Sequence, residues 1–282
     1  MIDPNLVVTE GEGGKAEMEV GPLRADNDVA SSATPDRGTD LVGRVESSAL
    51  ETTPFDHVYL DDLFPPEYYR RLLDHLPETH MYRELRHREA MQTDGHSARR
   101  KFYLFPEHSM WLPAGQRAFW WELSRVLRSR ALQEAFKSKF RAALERRFGR
   151  SIDRLSFYPV PMLIRDLRGY RIGIHGDGHR KAITVQFYLP RDESQAQLGT
   201  VFHEGRNGEA AKRTKKLAFR PATGYAFPVV RHRSWHSVPQ TGDASGERNS
   251  LILTYYVQQG ALAWLAQRLH RLAVFIGYGL RT

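Results

Sequence analysis

His175, Gly176 and Asp177 set an imidazole and a carboxylate two residues apart. On an extended strand such residues project to the same side, so both can reach a single metal ion. Two histidines and one carboxylate on one face of an octahedron leave three positions free, which is the ligand set of open-site Fe(II) enzymes. His-x-Asp alone is a weak signal in a chain with 12 histidines, so the second imidazole must come from a distant strand. His236, within Trp235-His236-Ser237-Val238, is the best candidate. Its rivals are His232, flanked by arginines that favour an exposed loop, His179 in the turn after the first ligand pair, and His203. A third feature is Arg248, which enters the apolar run Leu251-Ile252-Leu253-Thr254-Tyr255-Tyr256-Val257. A buried guanidinium needs a partner, either a bidentately bound ligand carboxylate or an internal Asp or Glu.

The chain has no cysteine, which excludes disulfides and thiolate metal sites and leaves His, Asp and Glu as ligands. The net charge of +8 fits a solvated basic surface, an anionic substrate, nucleic acid or an anionic membrane. No zinc-finger spacing, P-loop, helix-turn-helix or RNA-binding signature is present, which disfavours nucleic acid as partner. Neither a secretory signal nor an uncharged apolar run of about 18 residues is visible, so no transmembrane segment and a cytoplasmic location are expected.

The elements that must hold these residues follow from composition and period. Residues 1–53, rich in Gly, Asp, Glu, Ser and Thr, are expected to form a disordered arm. Residues 54–150 read as a helical support region. It has a short strand at Phe55 to Leu60, a helix from Glu67 to Leu76 started by Pro65-Pro66, and helical periodicity across residues 114–148. Residues 81–103 are polar and basic and give no clear element. Residues 151–258 break into eight short runs: 155–164, 171–175, 182–189, 200–203, 216–219, 225–228, 235–238 and 250–257. That spacing reads as a sandwich or barrel. In the third run Ile183, Val185, Phe187 and Leu189 face one way and Thr184, Gln186 and Tyr188 the other, so the polar face suits a ligand cavity. The tail, residues 259–282, carries the stripe Leu262, Leu265, Leu269, Leu272 and Ile276, with Arg268 and Arg271 outside it. It is expected to dock on the domain as an amphipathic helix, with a homodimer or membrane-surface contact as the alternative.

Taken in order, these parts resemble the prolyl-hydroxylase-like branch of the Fe(II)/2-oxoglutarate-dependent oxygenases. The family pattern is matched by Gly169-Tyr170, His175-Gly176-Asp177, Ile183-Thr184 to Tyr188-Leu189, Pro221-Ala222-Thr223-Gly224, His236 and Arg248. The departures are Leu198-Gly199-Thr200 for the usual Gly-Gly, Pro190 for the usual Asn, and a basic segment at residues 205–216 that looks inserted.

The resemblance implies an α+β chain whose core is a double-stranded β-helix, or jelly roll, with N-terminal covering helices and a C-terminal amphipathic helix. It implies iron on His175, Asp177 and His236, and 2-oxoglutarate anchored by Arg248 with Ser250, Thr184, Tyr188 and Tyr158 as helpers. O2 is the co-reactant, succinate and CO2 are the products, and ascorbate is an accessory reductant compatible with the set. Because Asp177 is present, hydroxylation is favoured over halogenation. Arg165, Arg171 and Arg231 are expected near an anionic substrate such as a small molecule, a glycan or a carrier-bound metabolite. The rival readings are a cupin-like metalloenzyme without 2-oxoglutarate and a basic nucleic-acid-binding module.

Overall fold

A computed structural model of the chain describes residues 40–86, 90–205, 214–242 and 246–258, and positions 265, 268, 269, 271–273, 275 and 276. Eight strands follow one another from residue 157: β4 (Phe157–Asp166), β5 (Ile172–Gly176), β6 (Lys181–Tyr188), β7 (Val201–His203), β8 (Thr214–Lys216), β9 (Gly224–Pro228), β10 (Trp235–Val238) and β11 (Arg248–Val257). The expected runs are found within a few residues, except that β8 ends where its run was placed to begin. β8 pairs with β7 through Val201–Lys216, so the end of the basic segment is a strand rather than an inserted loop. Arg206, Lys212 and Arg213 lie outside the described residues.

Apart from β7 and β8, which pair with each other in one sheet, successive strands alternate between two antiparallel sheets. β4, β6, β9 and β11 belong to a seven-stranded sheet completed by β1 (Val58–Leu60), β2 (Arg83–Glu84) and β3 (Arg99–Tyr103), in the order β1-β9-β6-β11-β4-β3-β2. β5, β10, β7 and β8 form the facing four-stranded sheet. Eight strands wound between two facing sheets make a jelly roll. Two glycines permit its close approaches. A Cβ on Gly199 would lie 1.5 Å from the Leu217 carbonyl oxygen, and one on Gly224 would lie 2.5 Å from that of Gln186.

Alternation along β6 sorts the two faces as expected. Ile183, Val185, Phe187 and Leu189 join Leu163, Leu251, Leu253 and Tyr255 in the main apolar cluster. Leu123 of α2 (Ala114–Leu127), Leu132 and Phe136 of α3 (Arg130–Lys139) and Leu144 of α4 (Arg141–Phe148) belong to that same cluster, with Phe136 5.9 Å from Tyr255 between ring centroids. Residues 114–148 are thus three helices rather than one. Ser129 accepts a bond from the Leu132 N–H and caps a new helix, and Phe140 separates the last two. The opposite face of the sheet carries Thr184, Gln186, Tyr188, Arg248, Ser250 and Thr254, all buried inside the sandwich.

Three expectations are corrected. Part of the arm expected to be disordered is a helix, α1 (Leu41–Ser47), capped by Asp40 and buried through Leu41 and Val45, because this short amphipathic turn finds an apolar surface on the body. The stretch without a clear element contains β3, whose pattern is hidden because its inward-facing residues are Arg99, Lys101 and Tyr103. In the C-terminal segment the described residues are helical, but Leu265, Leu269, Leu272 and Ile276 are about half exposed. Arg271 makes the contact with the body instead, bonding both oxygens of Glu107 at 2.6 and 2.7 Å, while Phe275 packs on Trp111. Leu262 lies outside the described residues. Among the described residues no helix is long and apolar enough to cross a membrane.

Candidate metal centre and its surroundings

β5 and β10 are neighbours, and their register sets His175 directly opposite His236. The two rings lie 4.2 Å apart between centroids. Asp177, just past the end of β5, completes the group, and one ligand atom from each of His175, Asp177 and His236 lies within 4.8 Å of the others. His203 is held elsewhere by the Ser237 hydroxyl at 2.8 Å, His179 is exposed, and His232 sits in the turn before β10 with a left-handed φ of 60°.

Local backbone chemistry orients both imidazoles. Nδ1 of His175 lies 3.0 Å from the Gly173 carbonyl oxygen, and Nδ1 of His236 lies 3.2 Å from that of Ser234. When these nitrogens carry the proton and donate to the carbonyls, each Nε2 lone pair is free for a metal. Burial keeps His236 neutral, lowering its pKa to about 4 against the opposing pull of Asp177, and burial lowers His175 as well. Burial alone would raise the pKa of Asp177. The Lys181 ammonium, His236, and hydrogen bonds from Lys181 and Thr184 outweigh it and hold the group well below the usual carboxylate range. Neutral imidazoles beside an ionised carboxylate form a donor set ready for a divalent cation. Lys181 Nζ donates to Asp177 Oδ1 and Thr184 Oγ1 donates to Oδ2, both at 2.5 Å. Each carboxylate oxygen keeps a further lone pair.

Arg248 lies further along the same interior. Its side chain is fully buried; Nε donates to the Leu198 carbonyl oxygen at 3.1 Å and Nη1 to Asp166 Oδ2 at 2.8 Å. An internal carboxylate is therefore one of its partners. Nη2 is buried without a hydrogen-bond partner among the described residues. The guanidinium stacks 4.5 Å above the Phe219 ring and 5.7 Å from that of Tyr188. Ser250, two residues on and facing the same way, accepts from Gln186 Nε2 at 2.9 Å. From Gln186 a chain of bonds runs through the Tyr225 hydroxyl to Thr200, whose N–H donates to the Tyr188 hydroxyl at 3.0 Å. Tyr225 lies within electrostatic reach of both Arg248 and Asp177. A cosubstrate carboxylate is tested here by an orphaned buried N–H and a fixed cation, and the residues fit it.

Other sequence candidates are placed differently. The Thr184 hydroxyl supports Asp177 rather than pointing toward Arg248. Tyr158 pairs with Tyr256 while Asp166 pairs with Arg248, so Tyr158 is eight residues, roughly 26 Å, along the strand from that row. Its hydroxyl accepts from Arg271 at 3.3 Å. Arg165, adjacent to Asp166, faces the opposite side of the sheet, where it binds Asn249 at 3.0 Å, Thr79 at 2.6 Å and the Pro77 carbonyl oxygen at 3.0 Å. These bonds hold it on the face away from the metal ligands. Arg171 and Arg231 are exposed on the approaches to β5 and β10. Sequence reasoning missed Lys181, Asp166, Arg99, Thr200 and Tyr225 as site residues; Gln186 was legible only as a polar residue on the inner face.

No family model and no curated protein matches the chain. Among solved structures it is similar to a prolyl-4-hydroxylase from Pseudomonas putida, with 13% identity and a TM-score of 0.49 over 78% of this chain and 100% of that one. It is also similar to an oxidoreductase of the 2OG-Fe(II) oxygenase family from Burkholderia pseudomallei, with 15% identity and a TM-score of 0.46 over 79% and 91%. A third is a prolyl hydroxylase from Trichoplax adhaerens in complex with a hypoxia inducible factor peptide fragment, with 12% identity and a TM-score of 0.47 over 77% and 87%.

Proposed function

We propose that the chain is a non-haem Fe(II)- and 2-oxoglutarate-dependent oxygenase acting as a hydroxylase. The observation that carries this reading is the convergence of His175, Asp177 and His236 within 4.8 Å on the inner face of a jelly roll, in the protonation states a metal requires. His175 and His236 would ligate through Nε2 and Asp177 through one oxygen. Arg248 would receive the far carboxylate of 2-oxoglutarate through Nη2, with Tyr188 and Ser250 beside it. Bound there, Fe(II) with 2-oxoglutarate and O2 supplies oxidation of a substrate C–H bond coupled to release of succinate and CO2.

The chain's own groups prepare that chemistry. Lys181 and Thr184 fix the rotation of Asp177. The aromatic floor of Phe219 and Tyr188 excludes water around the anchor, strengthening its charge. Lys101, on the inward side of β3, adds positive charge to the interior, which favours an anionic small molecule, glycan or carrier-bound substrate.

One observation favours a second reading. The Arg248–Asp166 pair is what a jelly-roll metalloenzyme without 2-oxoglutarate would keep as a closed structural brace. Against it stands the unpartnered Nη2. Incubation with Fe(II), O2 and 2-oxoglutarate separates the two: the oxygenase releases succinate at a slow uncoupled rate that vanishes in His175→Ala. Absence of succinate from iron-loaded wild type favours the second reading.

A further inference from the structure

Arg99, Asp166 and Arg248 occupy one row across three adjacent strands. The register pairs Arg99 with Asp166 between β3 and β4, and Asp166 with Arg248 between β4 and β11. Alternation turns all three side chains into the sandwich. Asp166 is fully buried; its Oδ2 accepts a hydrogen bond from Arg248 Nη1 at 2.8 Å, and its Oδ1 lies 3.3 Å from Arg99 Nε in an ion pair not aligned as a hydrogen bond. Arg99 is in turn held by the Tyr170 hydroxyl, its guanidinium lying 4.7 Å above that ring.

A single Arg–Asp pair is neutral, and a neutral buried pair has no call on a further anion. Here one carboxylate is divided between two guanidiniums, so a positive charge is left over where little water can screen it. The charge has an outlet in the Nη2 of Arg248, which has no hydrogen-bond partner among the described residues. We propose that Arg99 keeps the anchor cationic: by sharing Asp166, it prevents that carboxylate from neutralising Arg248, and so makes the pocket select a 2-oxo acid bearing a second, distal carboxylate. Arg99 is a positioning residue in this role, acting through Asp166 rather than by touching the cosubstrate. The inference rests on the oxygenase reading given above and adds to it a residue that neither spacing nor motif marks.

Two variants of the full-length, Fe(II)-loaded protein test it under anaerobic conditions, with affinities for 2-oxoglutarate and for 2-oxopentanoate, a monoacid of equal length, measured by calorimetry. Arg99→Gln retains a hydrogen-bonding group next to Asp166 and Tyr170 but drops the charge. It should weaken 2-oxoglutarate by about 10- to 100-fold, the worth of a charge-assisted bond, and leave 2-oxopentanoate within about twofold. Arg99→Lys retains the charge and loses the fork, and should keep most of the wild-type preference for the diacid. Arg99 also lies within electrostatic reach of His175, so metal affinity should stay at the wild-type value in Arg99→Lys and be no weaker than wild type in Arg99→Gln. If the preference survives in Arg99→Gln, or is lost equally in Arg99→Gln and Arg99→Lys, Arg99 is a shape-determining brace and the inference is overturned. Wild type that binds neither oxo acid would instead remove the oxygenase reading on which it stands.

Discussion

The interior of the jelly roll has two ends that were built by different means. At the metal end, His175 and Asp177 come from consecutive chain and meet His236 across one strand pair of the smaller sheet. At the anchor end, Arg99, Asp166 and Arg248 come from three strands of the larger sheet and owe their meeting entirely to register. The metal end is a short-range motif plus one long-range partner, whereas the anchor end is an electrostatic row with no local signature. Ligand geometry can be written into spacing along one strand, because a period of two sends both groups to one side. Charge balance cannot, because it depends on which strands become neighbours.

The sharpest way to separate the ends is to remove one ligand. His175→Ala should lower Fe(II) affinity by roughly 1,000-fold or more, since two remaining groups cannot close the site, and anaerobic metal titration reads this directly. Retention of wild-type metal affinity would mean that the cluster is not the metal site.

Acid should act next most strongly, and at the metal end. His236 has its pKa lowered by burial from 6.5 to about 4, so the unfolded chain binds its proton first as the pH falls. Metal-free protein should therefore be fully stabilised above about pH 6.5 and lose of order 3 kcal/mol as the pH drops toward 4. His108, lowered by burial to about 4, contributes with the same sign. Saturating metal should raise stability at each pH without reducing this loss, and should carry the loss on below pH 4, because the metal keeps the proton off His236 in the folded state while the unfolded chain still takes it up. Chemical denaturation at a series of pH values measures both.

Arg248→Lys probes the opposite end. It keeps the charge opposite Asp166 but loses the forked Nη2 donor, so 2-oxoglutarate should bind about 10- to 100-fold more weakly with metal affinity unaltered. Equal losses at both ends would collapse the distinction drawn between them. Smaller still, Thr184→Val removes the hydroxyl bonded to Asp177 and should cost about tenfold in metal affinity, with little change at the anchor.

The legibility of the molecule follows the same division. The strand series from β4 to β11 could be read because Ile183, Val185, Phe187 and Leu189 alternate with Thr184, Gln186 and Tyr188, and because Gly and Pro turns punctuate the runs. β3 could not, since Arg99 and Lys101 put charge where a buried face normally shows apolar residues. Arg248 announced its need for a partner through its position beside an apolar strand, but the identity of that partner, Asp166, lies in a pairing 82 residues away in sequence. Tyr158 was misplaced for the complementary reason: its strand was read correctly, but its level along that strand was not. The C-terminal stripe was likewise legible as a pattern, while its outward orientation depends on the Arg271–Glu107 contact that no periodicity predicts.

The oxygenase claim meets its most direct test in the absorption spectrum of the anaerobic wild-type protein loaded with Fe(II). Addition of 2-oxoglutarate should produce a visible metal-to-ligand charge-transfer band that saturates at one equivalent and is absent in His175→Ala. Iron-loaded protein that stays colourless at saturating 2-oxoglutarate would contradict the claim.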